Sequence, residues 1–269
     1  DTLVKTLLNA LTTASERGPF SNPPSTGFGV TGAWKMIESH FDTLFTTESS
    51  IDQLKQNILQ LAVMGKLIPF KPIGHAQTVA DHIDFQNGYA FKSTWFEPDG
   101  VRLCRNVNVS HGTLDWREEA RVSFEHAKEF SRFSLLEGDI VLSLDRPLIT
   151  SGLKIARIRH DDLPCLLLQR VAKPILKHAE ISLDYLYLWF NSPAFVDSID
   201  PGRSNGVPHI STRQVQKLPL DLPPLAEQQR IVAKVDELMA VCDQLKAGLK
   251  TAQDTQLNLA DALVANAIS

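Results

Sequence analysis

Asn22-Pro23-Pro24 and Pro98-Asp99 are the places where this 269-residue chain comes nearest to a catalytic spelling. Asn-Pro-Pro followed by an aromatic would suit methyl transfer to the amino group of a base, because the ring stacks on the extruded base. Ser25 stands where that aromatic is needed, and no cofactor-binding βαβ pattern surrounds it. Pro-Asp would suit Mg²⁺-assisted phosphodiester cleavage if an Asp/Glu-x-Lys followed to complete the metal site. That triplet occurs nowhere in the sequence. A phosphate-cradling Gly-x-x-x-x-Gly-Lys loop and a His-Glu-x-x-His helix are also missing. The eight histidines are scattered, and Cys104, Cys165 and Cys242 lie far apart without metal-ligand spacing. The residues predict a chain that binds without reacting, with no cofactor or metal of its own.

Recognition chemistry is better represented. Side chains with paired donors and acceptors, placed on loops or at helix starts, suit the edges of DNA bases in a groove. Five clusters qualify. Lys92 and Ser93 follow the turn Gly88-Tyr-Ala-Phe. Arg105 and Asn106 end a short strand, with Asn108 close by. Ser143, Asp145 and Arg146 follow a Gly-Asp turn and its strand. Gln169 and Arg170 end an apolar run that starts at Cys165. Arg203, Ser204 and Asn205, with His209, Ser211 and Thr212, form a glycine-bearing loop before a short helix over 212–217. Each cluster has a plainer reading as a solvated loop end or a cap. Ser211 or Thr212 serves as well for an N-cap, and Arg146 can pair with neighbouring acids. The loop 203–212 is the strongest unit, because positive charge, amides and glycine coincide there.

These clusters must be held by the elements around them. Ile231, Val235, Leu238, Cys242, Leu245, Leu249, Ala252, Gln256, Leu259 and Leu263 follow a 3-4 step, and nine of the ten are apolar. Such a narrow seam suits a coiled-coil partner. A helix from 225 to 263 would be about 58 Å long. Upstream, Ile37, Phe41, Leu44, Ile51, Leu54, Ile58 and Leu61 form a second stripe, interrupted at Thr47/Glu48 and ending at Gly65 before Pro69. Paired antiparallel, the two helices would bring both ends of the intervening block together. Two ordinary amphipathic helices on a globular domain would give the same pattern.

That block, 71–221, reads as mixed α/β: a strand over 140–144 after Glu137-Gly-Asp, a half-exposed strand from Lys154, a short buried strand over 165–168 and a core helix over 183–190. Tyr185, Tyr187 and Trp189 fit packing better than base stacking. The expected architecture is therefore an α/β (α+β) globular domain flanked by two long helices in an antiparallel coiled coil. Its parts are a leading segment and linker over 1–32, a proximal long helix over 33–70, the central domain over 71–221 and a distal long helix over 222–269. Residues 1–14 place Leu3, Leu7, Leu8 and Leu11 on one helical face, an echo of the tail. Residues 15–32, rich in Gly and Pro, read as a linker.

The phrases Ser50-Ile-Asp-Gln-Leu-Lys-Gln-Asn-Ile-Leu-Gln-Leu-Ala-Val-Met-Gly-Lys-Leu-Ile-Pro69 and Leu222-Pro-Pro-Leu-Ala-Glu-Gln-Gln-Arg-Ile-Val232 closely resemble the conserved regions of type I restriction-modification specificity subunits. Gly88-Tyr-Ala-Phe-Lys-Ser93, Leu136-Glu-Gly-Asp-Ile-Val-Leu-Ser143 and His209-Ile-Ser-Thr212 are similar to phrases of that family's target recognition domains. The resemblance runs from about residue 34 to the C-terminus, and is looser in the middle. It implies a non-catalytic subunit that reads a half-site of double-stranded DNA. It also implies docking of a methyltransferase subunit and, through the complex, a nuclease subunit. S-adenosylmethionine, Mg²⁺ and ATP would then belong to those partners. The family carries its conserved regions twice, so this chain resembles the second half of a longer subunit. An isolated copy is expected to pair head to tail with another, as a homodimer of halves.

Composition sets one difficulty. The net charge is −4, and the central block holds 18 Lys and Arg against 19 Asp and Glu. DNA binders that rely on the phosphate backbone are usually strongly basic, so a neutral reader must cluster its positive charge or leave the phosphates to partners. A coiled-coil adaptor that binds protein, or a catalytic domain of another type, is the competing reading. No membrane span is expected, and the cysteine pattern fits the cytoplasm.

Overall fold

The computed structural model describes residues 4, 6, 11, 35–37, 39–74, 77–199 and 209–268. The linker over 15–32, with Asn22-Pro-Pro, lies outside the described residues, as do Leu3, Leu7 and Leu8. The chain divides into two units, one of Asp1–Pro69 with Arg230–Ser269 and one of Phe70–Gln229.

In the helical unit, the short helix Phe41–Leu44 ends before the helix Glu48–Val63 begins. The break has a local cause. The Thr47 hydroxyl accepts the Ser50 N–H at 3.1 Å, and the Ser50 hydroxyl oxygen accepts the Thr47 N–H at 3.2 Å. This reciprocal cap satisfies amides that a helix start leaves without partners. The proximal helix expected through 33–70 is thereby corrected to one of 16 residues behind a capped break. Its end is as read: Gly65 adopts φ 66°, and the amides of Lys66 and Leu67 return to the Leu61 carbonyl.

The distal helix runs Leu225–Ile268, 44 residues and about 66 Å. Its seam is buried unevenly. Ile231, Val235 and Cys242 are buried, Leu238, Leu245 and Leu249 half-buried, and Leu259 and Leu263 are 61% and 62% exposed. On the proximal helix Leu54, Ile58 and Leu61 are buried. Lys55 pairs with Asp243, and Lys246 pairs with Asp52 at 2.9 Å and with Glu48 at 3.4 Å. Exposed ion pairs contribute about 0.2–1 kcal/mol each, whereas burying one Leu or Ile contributes about 1.5–3 kcal/mol. Apolar burial therefore dominates this unit.

The second unit contains strands β1 (Ile83–Asn87), β2 (Val101–Cys104), β3 (Arg121–Val122), β4 (Ile140–Ser143), β5 (Leu148–Ile149), β6 (Gly152–Leu153), β7 (Ile155–Arg157), β8 (Cys165–Leu167) and β9 (Val171–Leu176). One sheet has the order β1-β9-β4-β7 with every pairing antiparallel, and a second has the order β3-β2-β8 with β2 and β8 parallel. β5 and β6 form a separate hairpin. Side chains alternate along β2 and β8. Cys104, Cys165 and Leu167 join one apolar cluster, while Val101, Leu103 and Leu166 join another. The strand from Lys154, expected to be half-exposed, is instead buried at Ile155 and Ala156, because β4 flanks it and Gly112 donates to the Ile155 carbonyl.

The helix Leu183–Phe190 is the expected core element. Its Ser182 cap accepts the Tyr185 N–H, and the Phe190 and Phe195 rings meet edge to face at 5.0 Å. Tyr185 and Trp189 are buried, which is the packing role read from the sequence. Gln228 explains part of the Pro-Pro-Leu-Ala-Glu-Gln-Gln phrase. This buried amide accepts the Ser182 N–H at 2.8 Å and donates to the carbonyls of Glu180 and Pro223 at 2.6 and 2.8 Å. The segments entering and leaving the unit run side by side: Ile73 donates to the Leu222 carbonyl, Leu220 to Gln77 and Val79 to Leu218.

The uneven seam predicts that Ile231→Ala costs about 2–5 kcal/mol, whereas Leu259→Ala stays within about 0.5 kcal/mol. Urea unfolding midpoints of the two variants measure this. Equal losses would contradict the burial gradient.

Candidate nucleic-acid interface

Strand register decides which polar residues meet. In the β4–β9 pairing Ser143 lies opposite Val171, and one step further Leu144 donates to the Arg170 carbonyl at 2.8 Å. In the parallel β2–β8 pairing Cys104 lies beside Leu167. The ends of β2 and β4 therefore converge where β8 hands over to β9. Arg170 makes that passage in the left-handed region, φ 69°. His209 joins from the far side, because Ile210 donates to the Leu144 carbonyl at 3.0 Å.

Asp145 is the centre of this corner. It is 9% exposed. Its Oδ1 accepts from His209 Nδ1 at 2.9 Å, and its Oδ2 accepts from Arg170 Nη1 at 2.9 Å and from Asn106 Nδ2 at 3.2 Å. Ser143 supports the turn by donating its hydroxyl to the Asp145 carbonyl at 2.9 Å. Lys154 is buried nearby. Burial holds its amine below the usual lysine range, and the Asp145 carboxylate opposes that shift. Arg146 is exposed at φ 45° before Pro147, and its side chain bonds to none of the described residues. Arg146, Lys154 and Arg170 thus cluster positive charge in a block whose overall charge is balanced.

The sequence reading missed the hairpin that follows. β5 and β6 place Thr150 and Ser151, both exposed, at the tip of a hairpin whose base follows Arg146. The Ser-Gly dipeptide at 151–152 was its available signal. Gly152, at φ 126°, lies so close to His111 that a Cβ would stand 2.9 Å from the ring Nδ1.

The other candidates are placed differently. Lys92 stands 5.4 Å over the Trp95 ring and Ser93 opens the turn Ser93–Trp95, with no described bond from either to the Asp145 group. The Arg105 guanidinium turns inward to the Glu118 carbonyl at 2.6 Å. Gln169 exposes its side chain while its backbone N–H donates to the Tyr89 carbonyl at 2.9 Å. Ser211 caps the helix Thr212–Gln216, accepting the Gln214 N–H while Gln214 Oε1 accepts the Ser211 N–H. Arg203, Ser204 and Asn205 lie outside the described residues. Among the described residues no group of His, Cys, Asp or Glu is arranged to hold a metal. Burial pushes the Cys165 thiol up to about 12. No helix among the described residues is long and apolar enough to cross a membrane.

Gly88 fixes the passage from β8 to β9 by close approach: a Cβ there would lie 2.1 Å from the Leu168 carbonyl oxygen. Gly88→Ala is therefore expected to cost about 3 kcal/mol and to displace Gln169 and Arg170. Denaturant unfolding measures the first effect. A variant as stable as the parent would show that the passage adapts.

The model of the type I restriction modification DNA specificity domain matches residues 106–252, more than half of the chain. The chain is 45% identical over 281 residues to the type I restriction enzyme EcoAI specificity subunit of Escherichia coli, an alignment covering 88% of this chain and 48% of that protein. It is 27% identical over 287 residues to the EcoEI specificity subunit of the same organism, again covering 88% and 48%. The chain thus spans about half the length of the curated relatives it matches. A chain from a solved type I R-M system superposes with a TM-score of 0.54 at 16% identity, covering 96% of this chain and 66% of its own length, a likeness of fold. The phrase matches, the mixed α/β unit and the family model agree, and the chain belongs to the type I restriction-modification DNA specificity family.

Proposed function

We propose that this chain acts as a non-catalytic recognition subunit in a type I restriction-modification assembly, with the unit Phe70–Gln229 reading a DNA half-site. The observation that carries this reading is the convergence of Asn106, Asp145, Arg170 and His209, with the exposed Arg146 next to Asp145 in the chain. Arg146, Gln169, Arg170 and Asn106 supply donors and acceptors that suit base edges. Lys92, Ser93 and Arg105 are assigned to phosphates or to shaping the surface. Arg203, Ser204 and Asn205 are assigned to DNA contact as well, on their residue types alone.

The helical unit docks the methyltransferase subunit, which supplies S-adenosylmethionine and extrudes the base. The nuclease subunit, with its Mg²⁺ and ATP, joins through the complex. Partners shared by subunits of different specificity must touch what stays constant, and the helices carry the phrases the family shares. We read these helices as an antiparallel coiled coil. The opposed order of the pairs Lys55 with Asp243 and Lys246 with Asp52 supports it. An isolated chain pairs with a second copy through the distal part of the long helix, where Leu257, Leu259, Leu263 and Val264 are exposed.

Replacing residues 76–218 with another family member's block is expected to change the methylated DNA sequence in cells while leaving partner binding intact. A swapped chain that binds its partner but keeps the original site would place recognition elsewhere. Light scattering at tens of micromolar is expected to show a dimer for the parent and a monomer for Leu259→Asp/Leu263→Asp. A monomeric parent would remove the pairing.

A further inference from the structure

An acid at the centre of a surface meant for DNA is a cost, because its charge repels phosphate. Asp145 does not recover that cost by reading a base itself. It is nearly buried, and its two oxygens are taken by three donors. Those donors come from three segments, Asn106 lying 39 residues before Asp145 and Arg170 lying 25 residues after it.

We infer that Asp145 is a positioning residue that gives the corner base specificity, by fixing the outward faces of Asn106, Arg170 and His209 and by withholding the Arg170 charge from phosphates. The inference rests on the DNA reading above and deepens it. One of Arg170's five N–H donors goes to Asp145. The side chain is still 62% exposed, so the other donors remain for a ligand on a guanidinium whose plane is anchored. With Nδ1 donating to Asp145, the His209 ring is fixed with Nε2 left for a ligand, and a neutral ring would offer an acceptor there. An acceptor there suits the exocyclic amino group of adenine or cytosine. Neutralising Arg170 removes one of the charges that would hold any sequence equally well.

Asp145→Asn separates this role from plain structural support. The amide nitrogen would face either Arg170, which can only donate, or His209, whose ring would then have to accept on Nδ1 and turn Nε2 into a donor. An anchor or the outward acceptor is therefore lost together with the charge. The full chain, assembled with its methyltransferase subunit, is titrated with two duplexes over a range of salt. One carries the site mapped by methylation in cells, and the other is its scrambled counterpart. Affinity for the mapped site should fall about tenfold or more, affinity for the scrambled duplex should rise, and the scrambled salt slope should steepen by about 0.9 for the cation released. Equal losses on both duplexes with the parent slope would make Asp145 merely structural and overturn the inference, as would unchanged binding to both.

Arg170→Gln, at an exposed side chain, keeps the test decisive if Asp145→Asn does not fold. A withheld charge predicts weaker binding to the mapped site with the scrambled slope unchanged. A slope shallower by about 0.9 would place Arg170 on a phosphate and overturn the inference. A parent assembly that does not distinguish the two duplexes would overturn the DNA reading as well, whereas a discriminating parent with the wrong variant behaviour overturns the role of Asp145 alone.

Discussion

The pairing of Ser143 with Val171 is the constraint on which the rest of the second unit depends. β9 is shared between β1 and β4, so its start cannot move without moving both neighbours. β8 ends only a few residues earlier in the other sheet, and the chain must turn between the two sheets within Leu168–Arg170. Left-handed backbone costs an ordinary residue about 1–2 kcal/mol. Arg170 accepts it at φ 69°, with its carbonyl held by Leu144 and its guanidinium by Asp145. Arg146, also left-handed, opens the adjoining hairpin. Backbone strain gathers at sites that bind, and both instances outside glycine among the described residues fall at this corner.

The same corner reconciles a balanced net charge with the DNA readout proposed above. Positive groups are concentrated rather than numerous: Arg146, Lys154 and Arg170 surround a single carboxylate. Several other basic groups are spent internally. Lys173 pairs with Asp139 at 2.6 Å, Arg157 with Asp184 at 2.7 Å, and Arg102 donates to the Asp161 carbonyl. A surface built this way gives up sequence-independent affinity and leaves discrimination to a few oriented groups. Such economy suits the proposed recognition subunit, whose partners would supply phosphate contacts.

What the sequence disclosed follows from the range of the interactions. The helix end at Gly65, the strand over 140–143 and the helix Leu183–Phe190 are set by neighbours along the chain, and they stand where periodicity and turn residues placed them. The Thr47 cap was equally local, but its polar pair read as an interruption of a stripe rather than as a helix start. Arg105 and Asn106 are adjacent polar residues that local pattern does not distinguish. Only the fold turns one inward to Glu118 and the other toward Asp145. The gathering of Asn106, Asp145, Arg170 and His209 depends on register between strands far apart in sequence, which no local pattern encodes. Gln228 was visible only as part of a familiar phrase, and its three hydrogen bonds give that phrase a physical reason.

Amide hydrogen exchange of the assembled chain, with and without a duplex carrying the mapped site, tests the central claim most directly. DNA should slow exchange at Leu144–Ser151, Leu168–Arg170 and His209–Thr212, and leave the helix Glu48–Val63 unchanged. Protection confined to the helices, or to the Lys92–Trp95 turn without the Asp145 corner, would contradict the account.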